Sequence, residues 1–196
     1  MKTTHSDALT PQEIAAVLRA AGEGRHGVRD HAMLLTLYHH GLRWKRCVTA
    51  TTAALGEAIG RLWVERLNRG RSGVHPVPED EAQALTAYLA EREEQGTLNL
   101  PALFLNERRA TLSRNAVYYL VRRAGEAAGL ARPLFPHLLR RSTGSKLVGE
   151  GHDVRLVQDY LGLRSARSVL RFVGEASPDN PNAERFTALW GEAGGG

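Results

Sequence analysis

Apolar positions along the chain fall into runs with helical spacing, interrupted once by a short alternating stretch. Ile14, Val17 and Leu18 follow Thr10-Pro11-Gln12-Glu13, a capping box with proline at the first helical position, and predict a helix through about Ala21. A second helix is predicted from about Val28 to His40, with Gly41 as its left-handed cap. The order Arg-Leu-Trp-Val-Glu-Arg-Leu at 61–67 alternates like a strand, turns at Asn68-Arg69-Gly70 and pairs with a second strand near Val74 to Val77. Pro78 and the acidic turn Glu79-Asp80-Glu81 then open a helix to about Glu93, with Ala82, Leu85, Tyr88 and Leu89 inward. A short apolar run, Ala102 to Leu105, leads to Ser113, the N-cap of a helix to about Ala128. Pro136 starts a helix with Leu138, Leu139 and Leu147 facing the core. Gly149-Glu150-Gly151 breaks the chain, Asp153 caps a helix to about Leu161, and Gly162 ends it. Ser165 is expected to open a last core helix with Val169, Leu170 and Phe172 apolar, and an amphipathic piece from Ala183 to Trp190 lies in the tail. The fold class expected is mainly α with a small antiparallel β-sheet.

At 196 residues the chain fits one domain with a small appendage, divided here as a domain over 1–175 and a tail over 176–196. Hydrophobic content of 42% and charged content of 24% are those of a globular protein. The first residues contain no apolar targeting core, and apolar runs such as Ala32 to Leu35 are too short to span a bilayer, so a cytoplasmic location is expected. One cysteine, Cys47, excludes an internal disulfide and a cysteine-based zinc site. The eight histidines show no ligand-like spacing with carboxylates, and neither a metal nor another cofactor is expected.

Charge changes the picture, because it is uneven. Residues 1–100 carry 12 Lys and Arg against 12 Asp and Glu, residues 101–172 carry 13 against 5, and residues 173–196 carry 1 against 4. A concentrated cationic segment is the footprint of a nucleic-acid binder, while an arginine-rich solvated surface is the plainer alternative. Within that segment His137 and Arg140 stand three positions apart on one predicted helix, so their side chains share a face. An imidazole beside a guanidinium fork suits the non-bridging oxygens of a phosphodiester, although the same pair alone is as ordinary as a capping and surface pair. Arg43, just past the Gly41 cap, heads a cationic trio with Lys45 and Arg46. Arg114, Arg122 and Arg123 interleave with Tyr118 and Tyr119 and are candidates for DNA backbone contacts, with Arg164, Arg167 and Arg171 as weaker ones.

Taken together, the arginine after a helix cap (Gly41-Leu42-Arg43), the mid-chain hairpin, the His137-x-x-Arg140 helix and the following Gln158-Asp159-Tyr160-Leu161-Gly162 resemble the catalytic domain of tyrosine recombinases, the phage-integrase family. More narrowly the chain is similar to the small fimbrial phase-variation DNA invertases, through the stretch Arg29 to Arg43, Val74-His75-Pro76, and Asn182-Ala183-Glu184-Arg185-Phe186 with Trp190. The resemblance implies the integrase catalytic-domain fold, with double-stranded DNA in a basic cleft. It implies that two arginines and a histidine bind the scissile phosphate, a tyrosine attacks it to give a 3′-phosphotyrosyl link, and a hairpin lysine protonates the leaving 5′-oxygen. A second His or Trp after the Leu-Gly pair completes the clamp. Arg43, His137 and Arg140 match the two arginines and the first histidine. Arg69, Arg71 and Arg141 are further DNA-binding candidates. The tail is a candidate contact for a second copy or an active recombinase through Phe186 and Trp190, which pack equally well back onto their own chain.

Other positions depart from the pattern. The lysine position falls on Asn68, the residue after Leu161-Gly162 is Leu163, and nine positions further on, where the tyrosine should stand, is Phe172. No tyrosine follows Tyr160, no lysine lies between Lys45 and Lys146, and the only histidine after His137 is His152. Arg46 stands where an acidic residue is usual and Arg141 where a histidine is. The reading these residues favour is a nucleoid-associated DNA-binding protein of recombinase fold, acting in recombination or its regulation without cleaving DNA. Two others stay open: an active recombinase or invertase with a nucleophile from elsewhere, and a scaffold for oligomerisation that does not bind DNA.

Overall fold

The computed structural model describes residues 8–65, 72–169 and 172. Its first helix, α1 (Pro11–Gly22), begins on the expected capping box: Glu13 N donates to Thr10 Oγ1 and Thr10 N donates to the Glu13 carboxylate. Helix α2 (Gly27–His39) is buried on nearly every side, from Ala32 through Tyr38, which is the signature of a central helix rather than a surface one. It packs against α1 on one flank and against α4 (Glu79–Glu94) and α6 (Pro136–Gly149) on others. Gly41 ends it at φ +53°, as the sequence predicts, and a Cβ there would lie 2.4 Å from Leu161 Cδ2. That position therefore requires glycine twice, once for the left-handed turn and once for the close approach of the later chain.

The hairpin forms with strand β1 (Arg61–Val64) antiparallel to β2 (Gly73–Pro76) and Trp63 opposite Val74. Leu62 and Val64 point into the core, while Trp63 and Val74 remain exposed. Asn68, Arg69 and Arg71, expected at the turn, lie outside the described residues. So do Leu170, Arg171 and the whole tail with Phe186 and Trp190. Helices α5 (Arg114–Ala127) and α7 (Val154–Leu161) start on the predicted caps, Ser113 accepting from Ala116 N and Asp153 accepting from Arg155 N and Leu156 N.

One expectation is corrected, and two features were not read from the sequence. Residues Trp44–Thr49 form a short helix, α3, with Cys47 and Val48 drawn into the core behind it. The last core helix expected from Ser165 begins instead as a 3-10 turn, Ala166–Ser168, delivering Val169 to a small apolar cluster with Val148, Val157 and Leu161. On α4, Leu85 and Tyr88 face inward as expected, but Glu81 and Arg92 are buried with them.

Arg92 is 1% exposed and serves as the hub of the segment that follows its own helix. Its Nη1 donates to the carbonyls of Ala102 (2.8 Å) and Leu103 (3.0 Å), and its Nη2 to those of Leu100 (2.9 Å) and Thr97. A planar fork with several fixed donors can satisfy four carbonyls at once; an ammonium cannot. Arg92→Met, which keeps an apolar stem and strands those carbonyls, should cost about 3 kcal/mol or more in urea unfolding, with Arg92→Lys recovering only part. Wild-type-like stability of Arg92→Met would show that the segment from 97 to 103 holds itself.

Candidate nucleic-acid interface

The site is assembled around α6. Pro136 fixes the first turn, Leu138 and Leu139 anchor the inner face in the main core, and Thr143 Oγ1 donates to the Tyr38 carbonyl, pinning α6 to α2. What remains on the outer side is His137, exposed, with its ring stacked on Phe135 at 5.7 Å and 8°, and Arg140, half-buried one turn on. Arg140 donates from Nη1 to the Gly41 carbonyl and from Nη2 to the Leu161 carbonyl at 2.6 Å. One guanidinium thus bridges the end of α2 and the end of α7. Gly41 lies two residues before Arg43, and Leu161 two before Leu163, so this single side chain brings three predicted segments to one corner.

Arg43 is exposed at the N-cap position of α3. Beside it, Arg114 at the start of α5 lies over two rings, its Cζ 5.1 Å from the Tyr118 centroid and 6.0 Å from that of Trp44. The Trp44 contact joins α5 to the Arg43 corner and leaves Arg114 exposed at its rim. Phe172 reaches α6 from the other end. Its ring carbons lie 2.9 Å from where a Cβ on Gly144 would stand, and Gly144 follows Arg140 by four positions on the same helix face. Phe172 and Leu163 are both half-buried and pack against the Val148, Val157, Leu161 and Val169 cluster.

Other candidates separate from this corner. Arg123, nine residues beyond Arg114, emerges on the opposite side of α5. There its Nη2 lies over Gly24 and it lines a cleft of about 380 Å³ between α1, α2 and α5. Arg122 is exposed and ion-paired with Glu126 at 2.8 Å. Arg141 is half-buried on the flank of α6. Arg46 is committed to Glu65 at 2.9 Å, closing α3 onto the end of β1. Arg164 and Arg167 are exposed beyond α7.

The structure also gathers a set that the sequence reading did not single out. Buried His40 donates or accepts through Nδ1 with His75 Nδ1 at 3.3 Å, and its Nε2 meets Glu81 Oε1 at 3.1 Å. Thr36 Oγ1 donates to the same carboxylate oxygen at 2.8 Å. No spacing along the chain announced this set. A weak signal existed in Ala32, Thr36 and His40, which continue the inward face of α2 at helical intervals. Among the described residues no group of His, Cys, Asp and Glu is placed to hold a metal ion, and no helix is long and apolar enough to cross a membrane.

The contact between Phe172 and α6 is directly testable. Gly144→Ala should cost about 1–3 kcal/mol by forcing the ring away, and should cost much less in a Phe172→Ala background. A double-mutant cycle by chemical denaturation reads this, and additive effects would mean that the ring does not sit on Gly144.

Comparison with known proteins agrees with this geometry. Residues 7–176 match the phage integrase family. The type 1 fimbriae regulatory protein FimE of Escherichia coli K12 is 36% identical over 183 residues, 93% of this chain and 89% of its own. Tyrosine recombinase XerD of Bifidobacterium longum is 36% identical over 174 residues, 82% of this chain but only 55% of XerD. Among solved structures, XerA recombinase superposes with a TM-score of 0.77 at 20% identity, over 93% of this chain and 64% of XerA. XerH site-specific recombinase bound to its difH substrate gives 0.72 at 20%, over 94% of this chain and 53% of XerH. With an arginine-bridged corner between α2, α6 and α7 and a match that covers nearly the whole chain, this protein belongs to the phage integrase family, the tyrosine recombinases.

Proposed function

We propose that this protein binds duplex DNA at recombination sites and acts in site-specific recombination or its regulation without cleaving DNA itself. The observation that carries the reading is position 172. Phe172 packs one helical turn from Arg140, where the family's nucleophile is expected, and a phenyl ring has no oxygen with which to form a phosphotyrosyl bond. Asn68 in place of a lysine removes the proton donor to the leaving oxygen, and Leu163 removes a phosphate ligand. Arg43, His137 and Arg140 remain as a phosphate grip, with Arg114 beside it. Phosphate binding and phosphate cleavage are separable, because the first needs only cationic donors in place. The DNA-bound state of XerH and the regulatory name of FimE support the choice of partner and role.

Arg140 is an ambiguous probe, since its loss also releases Gly41 and Leu161. Arg43→Ala and His137→Ala are cleaner. Wild-type protein titrated onto labelled duplex should bind with a steep inverse dependence on salt. Arg43→Ala should weaken binding by about tenfold and reduce the salt slope by about one. Detergent denaturation of the complex should release free DNA, whereas the triple variant Asn68→Lys, Leu163→His, Phe172→Tyr should leave a covalent adduct. An adduct from the unaltered chain would overturn the proposal in favour of a nucleophile supplied by another protomer, and absence of binding at every salt concentration would overturn it altogether.

A further inference from the structure

We infer that Phe135 is a positioning residue for His137: its ring, wedged at the start of α6, fixes the plane of the imidazole and so presents the donor edge of His137 in one direction on the exposed side of the site. The consequence for DNA rests on the reading proposed above, whereas the positioning itself does not.

The backbone makes the contact possible. Side chains two positions apart inside a helix point away from each other, so two rings at that spacing within α6 would not meet. Phe135 escapes this because it stands just outside the helix, at the N-cap, with φ −133° and ψ 153°. Pro136 enforces that conformation, since the residue before a proline is confined to extended backbone and the proline ring fixes the next φ for the helix. His137 is then the second helical residue, and its ring lies parallel to that of Phe135, 5.7 Å between centroids and 8° apart in plane. Parallel rings at that separation are offset, the arrangement that ring quadrupoles favour.

Phe135 is itself held in place. Leu134 before it and Pro136 after it are buried, and the half-buried Phe135 ring packs against the main core. Tyr118 of α5 closes on it from another side, at 6.4 Å and 50°. The fixed member of the stack is therefore Phe135, and the exposed member, His137, takes its orientation from it. Among the described residues no hydrogen bond or ion pair draws the His137 ring elsewhere. Stacking occupies a face of the imidazole, while its nitrogens act in the ring plane, so the stack leaves both of them open.

A fixed plane matters more for His137 than for the arginines beside it. A guanidinium offers several donors in a fork and tolerates some swing. An imidazole offers a single N–H at each protonated nitrogen, and such a bond weakens steeply as it departs from linearity. A freely turning ring would have to be ordered by DNA at every binding event, at a cost in affinity. A second route from Phe135 leads through Tyr118 to Arg114, whose Cζ lies 5.1 Å from the Tyr118 centroid, and the experiment separates the two.

The experiment compares wild type with Phe135→Leu, which keeps an apolar side chain and removes the ring, and with Phe135→Tyr, which keeps the ring. In the DNA-free full chain, carbon relaxation of the His137 imidazole should show an ordered ring in wild type and Phe135→Tyr and a more mobile one in Phe135→Leu. Duplex affinity at fixed pH and salt should fall about threefold to tenfold in Phe135→Leu and return in Phe135→Tyr. Phe135→Leu should have no further effect in a His137→Ala background, and its full effect in an Arg114→Ala background. An imidazole equally ordered in all three proteins would overturn the inference. So would a loss of affinity that persists without His137, which would mark a general role in the fold, or one that vanishes without Arg114. Ordering that depends on Phe135, with no duplex binding at any salt concentration, would leave the positioning intact and overturn the DNA-binding reading instead.

Discussion

Everything at the candidate site depends on one guanidinium having two jobs. Arg140 is held by two backbone carbonyls from segments 120 residues apart in the chain, Gly41 and Leu161, and it is also the arginine expected to face phosphate. Backbone carbonyls are fixed acceptors, so they orient the fork without neutralising it. Charge preorganised by dipoles costs little to reorient when an anion arrives, which is why such a corner suits phosphate whether or not chemistry follows.

That division separates what the fold requires of this corner from what it leaves free to vary. Arg140 cannot be lost without loosening α2 against α7, and Gly41 cannot gain a side chain without striking Leu161. Leu163 and Phe172 are under no such constraint. Both are half-buried against Val148, Val157, Leu161 and Val169, a small cluster that gains from any added apolar surface. In that setting an apolar side chain avoids the burial penalty that a polar one would meet. Stability therefore disfavours polar groups at 163 and 172, whereas it preserves Arg140.

Legibility in the sequence followed the range of the interactions. Caps read correctly because their partners sit within four residues: Thr10 with Glu13, Ser113 with Ala116, Asp153 with Arg155. The hairpin and the glycine turn at 41 were equally local. Helix α3 was not read, since its six residues have little helical preference of their own and are folded by the burial of Cys47 and Val48. Nothing in the sequence marks Glu81 and Arg92 as buried, since charged residues usually lie at the surface. What buries Glu81 is Thr36 and His40, more than 40 residues away, and no periodicity within α4 encodes them. The resemblance to the family was legible only from a set of residues, because His137 and Arg140 alone fit a surface pair.

The charge surplus of the segment from 101 to 172 also looks different once its cations are located. Arg122 is paired with Glu126, Lys146 lies 3.7 Å from Glu150, and Arg123 faces the α1 and α2 corner. The arginines placed beside His137 are Arg43, Arg114 and Arg140, and the first of these comes from outside the basic segment. Net charge along the sequence is therefore an incomplete guide to which cations stand at this corner. The potential at this corner is set by arginines held against carbonyls and aromatic rings, contacts that do not themselves neutralise them, more than by cations such as Arg122 and Lys146 that stand beside acids.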